Sequence, residues 1–196
     1  MNKAVFLDRD GVVNEIVFHE DVEVLDSPFN IRQVRIIKGA FEAIATFNQL
    51  GYKVLLATNQ PGAAKGKMSL ARIDEINQHI VNMASKSEAL IDHVYCCAHH
   101  PIGTPEGDPA LIKTCKCRKP GTGLLLTGID EYKIDINVSF MVGDSISDIQ
   151  AGKAIGLKTV LVGGLKCDAR RLYEEKDCIP GSVFQDLDSF AQSLKS

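Results

Sequence analysis

Five short runs rich in β-formers punctuate the chain: Ala4–Leu7, Val54–Ala57, His93–Cys96, Val138–Val142 and Thr159–Val162. Most are continuously apolar and do not alternate, the pattern of strands buried on both faces. Helical repeats lie between them. Ala40, Ile44 and Phe47 share a repeat that stops at Gly51, and Ser69 opens another that carries Ile73, Ile76, Ile80 and Met83. Gly123–Glu131, Ser147–Ile155 and Ala169–Glu175 are further helix candidates. A strand that returns through a helix runs parallel to the one before it, so the alternation predicts a parallel sheet with helices on both faces. Right-handed crossovers then give a doubly wound α/β fold.

Two connections break the rhythm. Glu15–Lys38 follows the first run, and His99–Pro120 holds Pro101, Gly103, Pro105, Gly107 and Pro109. Loops this long in a compact domain usually carry function. With 196 residues, the chain is expected to form one domain over 1–196, large enough for a core without disulfides. Its formal charge of −3, with no block of like charge, argues against a nucleic-acid partner. The opening apolar run is too short for a signal peptide, and no stretch approaches the ~18 apolar residues of a membrane helix. A cytoplasmic monomer with no membrane contact is the expectation. Four of the six cysteines fall between Cys96 and Cys117, and such clustering favours a metal over a disulfide framework. Cys167 and Cys178 are expected to have no catalytic part, and Phe184 and Phe190 to pack in the core.

In a doubly wound sheet, ligands bind beyond the carboxyl ends of the strands. Four polar clusters are due there. Asp8-Arg9-Asp10-Gly11 follows the first run; two crowded carboxylates repel and can share a hard cation, although Asp is also an ordinary turn residue. Thr58-Asn59 follows the second run and offers a hydroxyl and amides to phosphate oxygens, or simply ends a strand. Arg118-Lys119-Pro120 puts cations ahead of a helix, where an anion binds, or forms a solvated basic pair. Gly143-Asp144-Ser145-Ile146-Ser147-Asp148 follows the fourth run. Helix capping by Ser145 or Ser147 explains part of it, not both aspartates.

Taken in order, these clusters resemble the four motifs of the haloacid-dehalogenase (HAD) superfamily of phosphotransferases, over essentially the whole chain. The resemblance implies a Rossmann-like HAD fold and Asp8 as nucleophile, forming an aspartyl-phosphate. It implies Asp10 as the acid that protonates the leaving alcohol and then the base for water. It implies Mg²⁺ held by Asp8, the Asp10 carbonyl and Asp144, with Thr58 and Lys119 on the phosphoryl group. Lys119 and the cation would offset the charge of the phosphate dianion. Asp10 must be protonated as the alcohol leaves, which calls for surroundings that raise its pKa.

Cys97-Ala98-His99 and Cys115-Lys116-Cys117, fifteen residues apart, supply three thiolates and an imidazole, a set tetrahedral Zn²⁺ accepts. Cys96 and His100 compete for the same role, and buried free cysteines are the plainer alternative. The stretch Cys-Ala-His-His-Pro … Cys-Lys-Cys-Arg-Lys-Pro resembles a HAD subfamily, that of the heptose-bisphosphate and histidinol-phosphate phosphatases. Its members carry a zinc loop, here at about 96–120, and lack a large cap domain. That match implies Cys97, His99, Cys115 and Cys117 as zinc ligands. Thr58-Asn59-Gln60-Pro61-Gly62 matches too, which implies Asn59, Gln60 and Arg118 in substrate binding. The length of the loop resembles the heptose-phosphatase branch, so a small phosphorylated sugar is the expected partner. Ile16-Val17-Phe18-His19 departs from the Asp-x-Gly-Tyr of that branch, and Ser145 stands where it often has Lys. A histidinol-phosphate phosphatase and a catalytically silent zinc-loop interaction module are the alternatives.

Overall fold

The computed structural model describes residues 1–163 and 178–195. Strands β1 (Lys3–Leu7), β4 (Tyr52–Asn59), β5 (His93–Cys97), β6 (Phe140–Gly143), β7 (Lys158–Val162) and β8 (Ser182–Phe184) form a parallel sheet in the order β5-β4-β1-β6-β7-β8. Helices α1 (Ala40–Gln49), α2 (Leu70–Lys86), α3 (Gly123–Tyr132), α4 (Ile146–Ala154) and α5 (Leu187–Ser193) complete the layers.

The central strands divide their side chains between two cores. Val5 and Leu7 of β1, with Val54 and Leu56 of β4, pack with Ile44, Phe47, Ile76, Ile80 and Phe190 on one face. Ala4 and Phe6, with Leu55 and Ala57, pack with Leu124, Leu125 and Met141 on the other. Burial on both faces is why these runs are continuously apolar. Phe190 of α5 meets Phe47 of α1 at 5.6 Å between ring centroids, so the C-terminal segment does pack in the core.

Several stretches differ from the sequence reading, among them β4, which runs from Tyr52 to Asn59 and not only over 54–57, and β8, which none of the five runs marked. The Val138–Val142 run is split: Ile136–Val138 forms a 3₁₀ turn and the strand starts at Phe140. Ser139 causes the break, since its hydroxyl donates to the Asp135 carbonyl and accepts the Ala4 amide. The connection 15–38 holds an antiparallel hairpin, β2 (Val17–His19) with β3 (Val24–Asp26), and a 3₁₀ turn at Ile31–Gln33. Among the described residues it is the one strand pair inserted between β1 and α1, beside isolated bridges at Asp10–Asn14 and Asn14–Ile36, and no large cap stands over the sheet. The strand at 93–96 extends to Cys97. The helix candidate 169–175 and Cys167 lie outside the described residues.

Strand order reverses at β1, whose neighbours are β4 and β6. The crevice at the carboxyl end of these three strands is where a ligand site belongs.

Candidate active site

Asp8 leaves the end of β1 with its amide donating to the Val142 carbonyl of β6 (2.9 Å). Lys119, from the loop after β5, places Nζ 3.0 Å from Asp8 Oδ1 and 2.6 Å from Asp148 Oδ1. Lys119 and Asp148 are both buried. Burial works against the Lys119 charge, but Asp148 and Asp8 outweigh it and hold its pKa above the ordinary value. Burial pushes Asp8 up to about 7; Lys119 opposes this, while Asp148, Asp10 and Asp144 add to it. Asp144, just past β6, is raised to about 6 by burial and then by Asp148.

Two glycines allow this crowding. A Cβ on Gly143 would lie 2.2 Å from the Cβ of Asp148. A Cβ on Gly11, at φ +80°, would lie 2.1 Å from Asp144 Oδ2, so the Asp10–Gly11 backbone runs directly against that carboxylate.

Asp10 sits among donors, not against an apolar wall. Arg9 spans it with Nη2 at 3.0 and 3.1 Å from the two oxygens. The Asn14 amide donates to Oδ1 (2.8 Å), and Gln60 Nε2 reaches both Oδ2 (2.5 Å) and Thr58 Oγ1 (2.9 Å). Asn59 commits its whole amide to Lys119: Nδ2 donates to the Lys119 carbonyl and Oδ1 accepts the Lys119 amide, each at 3.0 Å. This pair of bonds ties the loop after β5 to the tip of β4.

The donor set fits a hard divalent cation. Asp8, Asp144 and Asp148 bring carboxylate oxygens within 4.8 Å of one another. Among the described residues, Asp10, Asp8, Asp144 and Asp148 are ion-paired only with Arg9 and Lys119, an excess of two negative charges. Asp148 is already occupied: Oδ1 meets Lys119, and Oδ2 accepts from the Ser145 amide (3.1 Å) and hydroxyl (2.6 Å). Asp8 and Asp144 are the carboxylates left to hold Mg²⁺, with the Asp10 backbone beside them.

A second cluster joins Cys97, at the end of β5, to His99, Cys115 and Cys117. The sulfurs approach one another at 3.1, 3.2 and 3.6 Å, and His99 Nδ1 lies 3.3 and 3.7 Å from two of them. Zinc bonded to sulfur at ~2.3 Å needs a tetrahedron with edges of about 3.8 Å, so the set fits closed four-coordinate Zn²⁺. Burial and the neighbouring sulfurs push the Cys97 thiol well up, the strain a cation relieves. Cys96 and His100 are not in this set. The Cys115 sulfur also accepts the Arg118 amide (3.4 Å), one residue from Lys119.

The D-glycero-β-D-manno-heptose-1,7-bisphosphate 7-phosphatase of Pasteurella multocida is 39% identical over 163 residues, 83% of this chain and 82% of that protein. The chain belongs to the HAD superfamily, in its heptose-bisphosphate phosphatase family. The Escherichia coli K12 member is 34% identical over 80% of this chain and 76% of its own length. The HAD-hydrolase-like family matches residues 116–190. The D,D-heptose 1,7-bisphosphate phosphatase of B. bronchiseptica, crystallised with magnesium and phosphate, superposes with a TM-score of 0.77 at 29% identity, covering 98% of both chains.

For this HAD phosphatase, the residues singled out in the sequence do converge: Asp8, Asp10, Thr58, Lys119 and Asp144 meet at one end of the sheet. Asn59 and Gln60 stand there too, but with their amide nitrogens turned to protein partners. Arg118 lies further out, its Nη1 3.4 Å from the His99 carbonyl. Sequence reasoning left Arg9 and Asn77 without a role, and read Asp148 as a cap or brace of its own loop without naming Lys119 as its partner. The one available signal was the Ser145-x-x-Asp148 spacing of a capping box, which points to the helix end and not to Lys119.

Proposed function

We propose that this chain removes the 7-phosphate of D-glycero-D-manno-heptose 1,7-bisphosphate through an aspartyl-phosphate on Asp8. Asp8 at the strand tip, with the buried Lys119 ammonium 3.0 Å from its Oδ1, is the observation that carries this reading. The names of the relatives point to the sugar. Asp8 Oδ1 also accepts the Arg9 amide (2.7 Å), so Oδ2 is the oxygen presented to phosphorus. As the P–O bond to the sugar breaks, the departing oxygen takes a proton from Asp10. Asp10 then receives a proton from the water that attacks the acyl phosphate, and the two half-reactions restore the enzyme. Bound magnesium supplies charge that offsets the phosphate dianion. Lys119 adds its own positive charge beside Asp8, and Asp148 keeps its ammonium in place. Thr58 faces the phosphoryl group with its hydroxyl.

In this proposal zinc holds the loop that carries Lys119, and residues 1–196 act as one domain. Arg118 and Lys65 receive the second phosphate. The site is filled by a small sugar bisphosphate, not by a macromolecule. Three free thiolates on one metal suit a reducing compartment, which supports a cytoplasmic location, and a monomer is sufficient for the chemistry. The test is kcat/KM, with magnesium, for both anomers of the heptose bisphosphate and for histidinol phosphate. A heptose bisphosphate should be the best of the three by about tenfold or more. Preference for histidinol phosphate would overturn the sugar assignment.

A further inference from the structure

Arg9 is an anomaly in a phosphate site. Its guanidinium is fully buried and turned away from the crevice. Nε and Nη2 point at Asp10, at 3.3 Å and at 3.0 and 3.1 Å, while Nη1 donates to Asn77 Oδ1 at 2.7 Å. The fork is therefore spent on two side chains. The residue at its far end comes from α2, a different layer of the molecule.

Asn77 is equally out of place by composition. It lies on the face of α2 that buries Ile73, Ile76 and Ile80, where a polar amide is costly unless bonded. Its bond to Arg9 resolves that. Asp10 is the most exposed member of the chain Asn77–Arg9–Asp10, with 17% of its side chain accessible, while Arg9 is fully buried and Asn77 nearly so. The core packing of α2 fixes Asn77, Asn77 fixes the guanidinium plane, and that plane, together with the amides of Asn14 and Gln60, fixes the Asp10 rotamer, because bidentate pairing is directional.

We propose that Asn77, acting through Arg9, is a positioning residue that aims the Asp10 carboxyl at the leaving-group oxygen. This rests on the reading of Asp10 as the proton donor. Asn77 touches neither phosphate nor metal ligands, so its removal should be felt only where the leaving group needs a proton. A sugar alkoxide needs one; p-nitrophenolate does not.

The experiment measures kcat/KM, which reports transfer to Asp8, for the heptose bisphosphate and for p-nitrophenyl phosphate. Asn77→Ala, on a helix where alanine is well tolerated, should lose at least about tenfold more activity on the sugar than on the aryl ester. Asn77→Asp, which keeps the acceptor oxygen, should recover most of the wild-type ratio. Equal losses on both substrates, no loss on either, or an Asn77→Asp variant as skewed as Asn77→Ala would overturn the proposal. Should Asn77→Ala fail to fold, Arg9→Lys takes its place, since it keeps the buried charge but not the fork, and the same skew is required of it. Asp10→Asn, run alongside, separates the two layers of the argument. If Asp10→Asn shows no skew, the proton-donor reading falls and the proposal with it. If Asp10→Asn is skewed and the Asn77 and Arg9 variants are not, the positioning proposal alone falls.

Discussion

Asp8 carries a large electrostatic cost in the site, and that cost is a handle on it. A carboxyl raised from an ordinary 3.8 to about 7 keeps its proton in the fold long after the unfolded chain has lost it. Between those pH values the folded state binds more protons than the unfolded state, so stability falls as pH rises. The contribution is whole below about pH 4 and is lost by about pH 7; Asp144, raised to about 6, adds in the same direction. Magnesium held by the ionised pair, as proposed, should restore what is lost. Thermal unfolding in magnesium-free buffer should therefore show Tm declining from pH 5 to pH 8, with millimolar magnesium raising Tm more at pH 8 than at pH 5. Asp8→Asn should abolish phosphate release, since an amide is a poor nucleophile, and flatten the magnesium-free pH profile while the protein stays folded. Phosphate release at the wild-type rate from folded Asp8→Asn would exclude the covalent route. A magnesium-free Tm that rises with pH would contradict the electrostatics.

At the scale of elements, the loop after β5 does the work that a single side chain cannot. Cys115 and Cys117 fasten it to Cys97 at the strand end, and Asn59 clamps the Lys119 backbone from β4. Gly121 and Gly123 let the chain fold back on itself: a Cβ at either would meet the Lys116 carbonyl, at 2.5 and 2.9 Å. Lys119 thus reaches Asp8 from a loop held at two points. Freshly purified protein should contain one zinc per chain by elemental analysis. Cys117→Ser should lower zinc content and Tm together and reduce turnover about 10–100-fold, the usual cost of loosening a metal's surroundings. Full activity in a zinc-free variant would show that Asn59 alone suffices. Much of this was legible beforehand, because strand tips and cysteine spacing are local signals. The hairpin at 17–26 was not, since Ile16–His19 and Val22–Asp26 are too short to show a period. Nor was the break at Ser139, which depends on a hydroxyl reaching Ala4, over a hundred residues away in sequence. Asn59 and Gln60 were legible as site residues but not as braces, because which way an amide turns is decided by its tertiary partners.

The whole molecule assembles its site from segments that only the sheet brings together: Asp8 from β1, Thr58 from β4, Lys119 from the loop after β5, Asp144 from β6. That convergence explains hydrolysis of a phosphate monoester and leaves the second phosphate of a bisphosphate to be accounted for. Among the described residues, the zinc loop and the turn after β4 supply candidate cations in Arg118 and Lys65. Burial lowers the His100 pKa, and the charges of Arg118 and Lys65 lower it further, so these three side chains share one electrostatic neighbourhood. Arg118 Nη1 is tied to the His99 carbonyl at 3.4 Å, a long bond that anchors one edge of the guanidinium. Its remaining donors suit phosphate oxygens, and a charge-assisted bond of that kind is worth about 1.5–3 kcal/mol, or roughly 10–100-fold. Binding energy from the far phosphate can be used at the reacting one, so its loss should appear in kcat as well as KM. Arg118→Ala should therefore reduce kcat/KM for the heptose bisphosphate by about tenfold or more and leave a small aryl phosphate within about twofold. If both fall together, Arg118 serves the folding of the zinc loop, and the second phosphate is held elsewhere.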